Sequence, residues 1–173
     1  MSIAPTTAPS DAEARIYTDN NQPETDYTLL SKQLAALIES EKDTIANMAN
    51  CSALLYENLE DINWVGFYRL VDNQLVLGPF QGKVACVRIE IGKGVCGTAV
   101  AEGVSQRVSN VHDFPGHIAC DAASNSEVVI PLRNSNSEVI GVLDIDSPSI
   151  NRFSEKDLLA LEEMMALFSA NHC

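Results

Sequence analysis

The sequence predicts an α+β fold: one antiparallel sheet covered by helices. Three observations predict it. Apolar residues recur at helical spacing near both ends of the chain. The middle is rich in aromatic and β-branched residues in short runs. Brief polar turns join several of those runs as hairpins. A chain of 173 residues, 46% of them hydrophobic, is long enough for one sizeable core.

Residues 1–24 are rich in Ala, Pro, Thr, Ser and Asn and lack periodicity, so they read as a disordered N-terminal extension; residues 25–173 read as a single domain. Leu29, Leu30, Leu34, Ala35 and Ile38 predict a helix over Tyr27–Ser40. Ile45, Met48, Ala49, Leu54 and Leu55 predict a second over Lys42–Glu60, and place Cys51 on its apolar side as an inert core cysteine. Strands follow over Ile62–Leu70, Gln74–Phe80 and Ala85–Ile91, with Asp72-Asn73 as the first turn. Gly92–Gly97 opens a short helix that ends at Glu102-Gly103, and Gln106–Val108 is a short strand. His112–Asn125 is a long polar loop of the kind that often carries function. Glu127–Leu132 and Val139–Ile145 form a hairpin around Asn134–Ser137. Ser154 caps a C-terminal helix whose apolar face holds Leu158, Leu161, Met165 and Phe168.

The net charge of −13 repels phosphate backbones and anionic membranes, and argues against both as partners. No signal peptide or membrane-spanning run is visible, which predicts a cytoplasmic protein with reduced thiols. Its five cysteines then serve as core filler, metal ligands or redox groups. Cys86, Cys96 and Cys120 lie together in the stretch Gln81–Glu127, each among small residues that let a substrate approach the sulfur. Gly92-Lys93-Gly94-Val95-Cys96-Gly97 matches the dinucleotide fingerprint. The following helix is too short for a parallel crossover, however, and the flanking strands look hairpin-linked. The motif therefore reads as a tight strand-to-helix turn, whose helix N-terminus could host an anion or lower the pKa of Cys96.

Counting back from a turn centred on Ser135-Asn136 sets Glu127 opposite Asp144, with Asp146 as the diagonal neighbour. Three acids on one sheet face need a cation, a metal or a shared proton. Magnesium or calcium would suit oxygen ligands; a substrate ammonium beside one protonated acid would balance the site as well. Trp64, Gly66 and Tyr68 share a strand face and read as core or as a pocket wall, with Gly66 leaving room between two rings. The cysteine spacings lack the close pairs of a zinc site. A mixed site with His117 and Cys120, or hydrolysis with His112 or His117 as base, accounts for fewer of the thiols than redox chemistry does.

The segments DINWVGFY (Asp61–Tyr68), LGPFQGKVAC (Leu77–Cys86), GKGVCGTA (Gly92–Ala99), GHIACDAASNSE (Gly116–Glu127) and GVLDIDS (Gly141–Ser147) resemble the free methionine-(R)-sulfoxide reductases, stand-alone enzymes with a GAF fold. The likeness runs over about residues 62–168 in the same order. It implies a central antiparallel sheet of about six strands flanked by helices, and reduction of the R epimer of free L-methionine sulfoxide. It assigns Cys120 as the nucleophile, Cys86 as its resolving thiol and Cys96 as a third cysteine, with thioredoxin restoring the dithiol. It assigns Glu127, Asp144 and Asp146 to the substrate's polar groups, with Glu127 and Asp146 favoured at the sulfoxide oxygen and Asp144 at the ammonium. Trp64 and Tyr68 become the wall around the methyl group. No metal or cofactor is implied, and a homodimer through the terminal helices is an expectation of the resemblance. The pairing of Cys86 with Cys120 requires the His112–Asn125 loop to move between redox states. A ligand-sensing GAF module and a redox sensor without turnover are the alternatives.

Overall fold

The structure is a computed structural model, and it describes residues 24–116 and 122–172. The N-terminal extension, His117 and Cys120 thus lie outside the described residues, apart from Glu24.

Among the described residues, four α-helices and six strands follow in the order α1 (Tyr27–Ile38), α2 (Thr44–Asn58), β1 (Trp64–Val71), β2 (Gln74–Gly82), β3 (Arg88–Glu90), α3 (Gly94–Glu102), β4 (Gln106–Val108), a 3-10 turn (Val111–Asp113), β5 (Ser126–Arg133), β6 (Val139–Ser147) and α4 (Glu155–His172). The strands form one sheet in the order β3-β2-β1-β6-β5-β4. Every pair is antiparallel, which removes the parallel crossover that a dinucleotide site would need.

Local chemistry explains the element ends. Asp26 and Asp43 cap α1 and α2 by accepting from Leu29 N and Ala46 N at 2.9 and 2.8 Å. Asp72 and Asn73 both take positive φ, as the tight β1–β2 hairpin requires. Gly103 closes α3 in the left-handed region at φ 66°. Asp157 accepts from both the backbone N and the hydroxyl of Ser154 at 2.7 Å, holding the start of α4 as anticipated.

Alternation along the strands divides the sheet into two faces. One face presents Val65, Phe67, Val128, Ile130, Leu132, Leu143 and Ile145 to α1, α2 and α4. Cys51 lies in this core, and burial pushes its thiol up to about 12, so it is the inert cysteine expected. The other face presents Trp64, Tyr68, Val129 and Val142 to α3.

Three expectations are corrected here. The third strand begins at Arg88, which leaves Ala85 and Cys86 in the segment before it. The strands flanking α3 are at opposite edges of the sheet and are not hairpin-linked, so α3 crosses the whole face between them. Its glycine turn is closed by Gly92 N donating to Gly97 O at 2.8 Å. A Cβ on Gly97 would sit 2.3 Å from Glu90 O, so only glycine lets α3 start this close to β3. Finally, the β5–β6 register runs two residues away from the simple count. Asn134 N bonds Glu138 O at 2.9 Å, and the ladder shifts between Leu132 and Arg133.

Candidate active site

That register sets Glu127 directly opposite Asp146, and Val129 opposite Asp144. The shift is an even number of residues, so Glu127, Asp144 and Asp146 still share one face. Strand β1 continues the rows: Trp64 pairs with Asp146 and Gly66 with Asp144. Acids and aromatics are thereby neighbours under α3. A cavity there is lined by Trp64, Tyr68, Cys96, Glu127, Asp144 and Asp146 among others. Val84, Ala85, Ile89, Lys93, Gly94 and Ser124 line it too. Sequence reasoning reached Lys93 and Gly94 only within a turn whose helix N-terminus could host an anion, and named no role in the site for the other four. Lys93 and Gly94 were within reach because they begin the helix that carries Cys96.

The aromatic wall is more than a surface. Trp64 stacks on Tyr68 at 5.9 Å and on Phe80 at 5.3 Å between ring centroids. A Cβ on Gly66 would lie 2.3 Å from Phe80 Cβ and 2.7 Å from Trp64 Cη2. Gly66 therefore admits the indole and Phe80 over its own backbone, and does not hold open a gap for a ligand as the sequence suggested. The polar tips of both wall residues hold the segment that carries Cys86: Trp64 Nε1 donates to Lys83 O, and Tyr68 Oη to Cys86 O, each at 3.0 Å. Cys86 is disulfide-bonded, whereas Cys51 and Cys96 are free thiols.

Glu127 and Asp144 are each only 6% exposed. Burial is the main force raising the Glu127 carboxyl well above the usual range, and the charges of Asp144 and Asp146 add to it. Burial also raises Asp144 to about 6, against the lowering effect of hydrogen bonds with Cys96 and Glu127. One oxygen of Asp144, Oδ1, is buried without a hydrogen-bond partner. The cluster is thus proton-hungry, and Glu127 is the member best able to keep a proton at neutral pH.

Cys96 departs from expectation. Its sulfur lies 4.0 Å from Glu127 Oε1, and its thiol is pushed up, first by burial and then by Asp144 and Glu127. A helix N-terminus does not lower a thiol that is desolvated beside two carboxyls. His112 bonds Asn125 Oδ1 through Nε2 at 2.9 Å and does not line the cavity. Ser124, which does, accepts from Asn63 Nδ2 at 3.1 Å. The last residues of the polar loop are pinned as well, since Asn125 N donates to Ser147 O at 2.7 Å.

A helix packed over one face of a six-stranded antiparallel sheet encloses this cavity, and the GAF domain family model matches residues 48–171. This cavity collects a buried thiol and three carboxylates beside the segment that carries Cys86, and comparison with known proteins narrows the class. The chain is 58% identical over 140 residues to the free methionine-R-sulfoxide reductase of Escherichia coli K12, covering 81% of this chain and 84% of that protein. It superposes on fRMsr of Staphylococcus aureus in the reduced form with a TM-score of 0.84 and 55% identity, over 87% of this chain and 97% of the other. The free methionine-R-sulfoxide reductase of Neisseria meningitidis in complex with its substrate gives a TM-score of 0.82 and 39% identity, over 91% and 95%. The chain belongs to the free methionine-R-sulfoxide reductases of the GAF family. Among the described residues, no helix is long and apolar enough to cross a membrane.

Proposed function

We propose that this protein reduces free L-methionine-(R)-S-oxide to methionine with Cys120 as nucleophile and Cys86 as resolving thiol. The observation that carries this reading is that a proton-holding carboxyl, Glu127, and the tethers of the disulfide-bonded Cys86 segment face one cavity. The relatives whose names give this activity support it.

The chemistry follows from the groups available. Sulfoxide oxygen leaves only when protonated, and Glu127, with Asp146 beside it, supplies the proton. The Cys120 thiolate attacks the sulfoxide sulfur as the oxygen is protonated; the S–O bond breaks, water leaves and a sulfur–sulfur sulfonium adduct is left. A water molecule then attacks the Cys120 sulfur, breaking that S–S bond, so that methionine departs, a proton is released and Cys120 is left as a sulfenic acid. The Cys86 thiol then attacks that sulfur, water leaves and a disulfide forms. Neither Cys51 nor Cys96 is bonded to Cys86, which leaves Cys120 and Cys173 as candidates, and the family resemblance favours Cys120. A dithiol reductant of the thioredoxin type reopens the bond by exchange. In sum, one sulfoxide and two thiols give one thioether, one disulfide and water.

Binding a free amino acid needs a place for both of its charges. Asp144 pairs with the ammonium, and the first turn of α3, at Gly94 and Val95, faces the carboxylate with unspent backbone N–H groups. Neither group exists in peptide-bound methionine, so the site favours the free form. Trp64 and Tyr68 enclose the methyl group.

The test is turnover of both epimers, free and in a peptide, with thioredoxin as reductant. Only the free R epimer is consumed, and Cys120→Ser lowers its turnover by roughly 10³-fold or more. Full activity in that variant, or equal rates on the peptide, overturns the assignment.

A further inference from the structure

Cys96 is the nucleophilic group that the proposed reaction leaves without a task. Its sulfur, a carboxylate oxygen of Glu127 and one of Asp144 lie within 4.8 Å of one another, and all three residues are buried. A sulfur at the base of an amino-acid site adds nothing to the binding of an ammonium, which wants oxygen acceptors. Beside two carboxylates it completes a different kind of donor set. Two further observations point the same way. Asp144 is 94% buried by the complement of its 6% exposure, lines the cavity, and has Oδ1 without a hydrogen-bond partner. Among the described residues, Lys93 is the sole cationic side chain that lines the cavity.

We propose that Cys96, Glu127 and Asp144 form a binding site for a borderline-soft divalent cation of the zinc class, which competes with the amino-acid substrate for the cavity. Sulfur with two carboxylates selects zinc or cobalt over magnesium and calcium, which prefer oxygen alone. Tetrahedral zinc with Zn–S near 2.3 Å and Zn–O near 2.0 Å needs donor separations of about 3.5 Å, so the three side chains close by roughly 1 Å. The thiol proton passes to solvent as the sulfur–metal bond forms. Three protein ligands leave a fourth position open toward the cavity, the pattern of sites that exchange a ligand. The site is distinct from Cys86, whose sulfur is committed to a disulfide. It remains complete, therefore, in the oxidised protein.

The binding itself does not depend on the reductase reading; the competition with the substrate does. Titration of the full-length oxidised protein with Co²⁺ separates the two. One equivalent gives a sulfur-to-cobalt charge-transfer band in the near ultraviolet, and Zn²⁺ displaces it. Cys96→Ser abolishes the band, and Asp144→Asn, which keeps the thiol, weakens binding at least tenfold, with circular dichroism verifying that both variants are folded. Excess free methionine raises the apparent dissociation constant for Co²⁺. A missing band, or one that survives in Cys96→Ser, overturns the site. Tight Cys96-dependent binding that methionine does not weaken overturns the competition.

Discussion

The two faces of the sheet are made from alternate residues of the same strands, yet they are built by opposite rules. The face toward α1, α2 and α4 is closed: Val65, Phe67, Val128, Leu132, Leu143 and Ile145 are fully buried and apolar. The face toward α3 buries Glu127 and Asp144 and a free thiol beside the rings of Trp64 and Tyr68. Burying acids costs stability, and a packed hydrocarbon core supplies it. The comparison teaches a division of labour one residue deep. Moving a single step along β5, from Val128 to Glu127, passes from the part that holds the fold to the part that lines the cavity.

The sharpest way to break that division is to remove the proton carrier. Glu127→Gln keeps the shape of the side chain and deletes the acid. Turnover falls by roughly 10²–10⁴-fold, while the melting temperature holds or rises, because a buried carboxyl with a raised pKa has been neutralised. Steady-state kinetics beside thermal melts of the same sample measure both. A loss of stability matching the loss of activity would mean that Glu127 is structural. On the opposite face the signs reverse. Phe168 of α4 is fully buried and stacks on Phe67 at 5.5 Å. Phe168→Ala destabilises by about 3–5 kcal/mol, and kcat per folded molecule, at a temperature where the variant is still native, stays near that of the parent.

This division was partly legible in the sequence. Period-two alternation set Trp64 with Tyr68 and Asp144 with Asp146 on shared faces correctly, because the side of a sheet depends only on the parity of a residue's position. For the same reason the three acids fell on one face even though their cross-strand partners were two residues out. The error came from the Asn134–Glu138 turn, where side-chain and backbone hydrogen bonds build a longer loop than the four polar residues suggest. Long-range consequences were not legible. Nothing local reveals that α3 spans the sheet from one edge to the other, and it is this span that desolvates Cys96 and reverses the expected direction of its pKa. Nor does the strand pattern reveal that Trp64 and Tyr68 reach the carbonyls of Lys83 and Cys86, since those contacts join residues 18 or 19 positions apart.

The acidic face also carries a pH signature. The carboxyl of Asp144 is raised from 3.8 to about 6, so the folded protein holds its proton more tightly than the unfolded chain does. Stability contributed by this group is full below pH of about 4, declines as pH rises toward about 6, and is absent above it. Asp144→Asn removes that decline. At pH 7 the variant gains about 1–3 kcal/mol relative to the parent, with hydrogen bonds lost to Cys96 and Glu127 offsetting part of the gain. Near pH 4 the difference closes. Urea unfolding at a series of pH values measures it, and a gap that widens toward acid would reverse the assigned sign.

The smallest effect probes the seam between the two functions of the aromatic wall. Tyr68 offers a ring to the cavity and a hydroxyl to the Cys86 carbonyl. Tyr68→Phe keeps the ring and deletes the tether. A hydrogen bond of this kind contributes about 0.5–1.5 kcal/mol, which corresponds to a twofold to tenfold change in the population of the Cys86 segment held for resolution. The step affected is closure of the disulfide: after one turnover with substrate, sulfenic acid at Cys120 persists several times longer than in the parent. Rapid quenching with a thiol-alkylating reagent, followed by mass measurement, resolves methionine release from loss of the Cys86 thiol. Trp64→Phe, which also deletes a tether, shifts both steps, because it shrinks the ring that faces the substrate. Equal closure rates in the parent and Tyr68→Phe would mean that the wall only binds, and that Cys86 is positioned by its own segment.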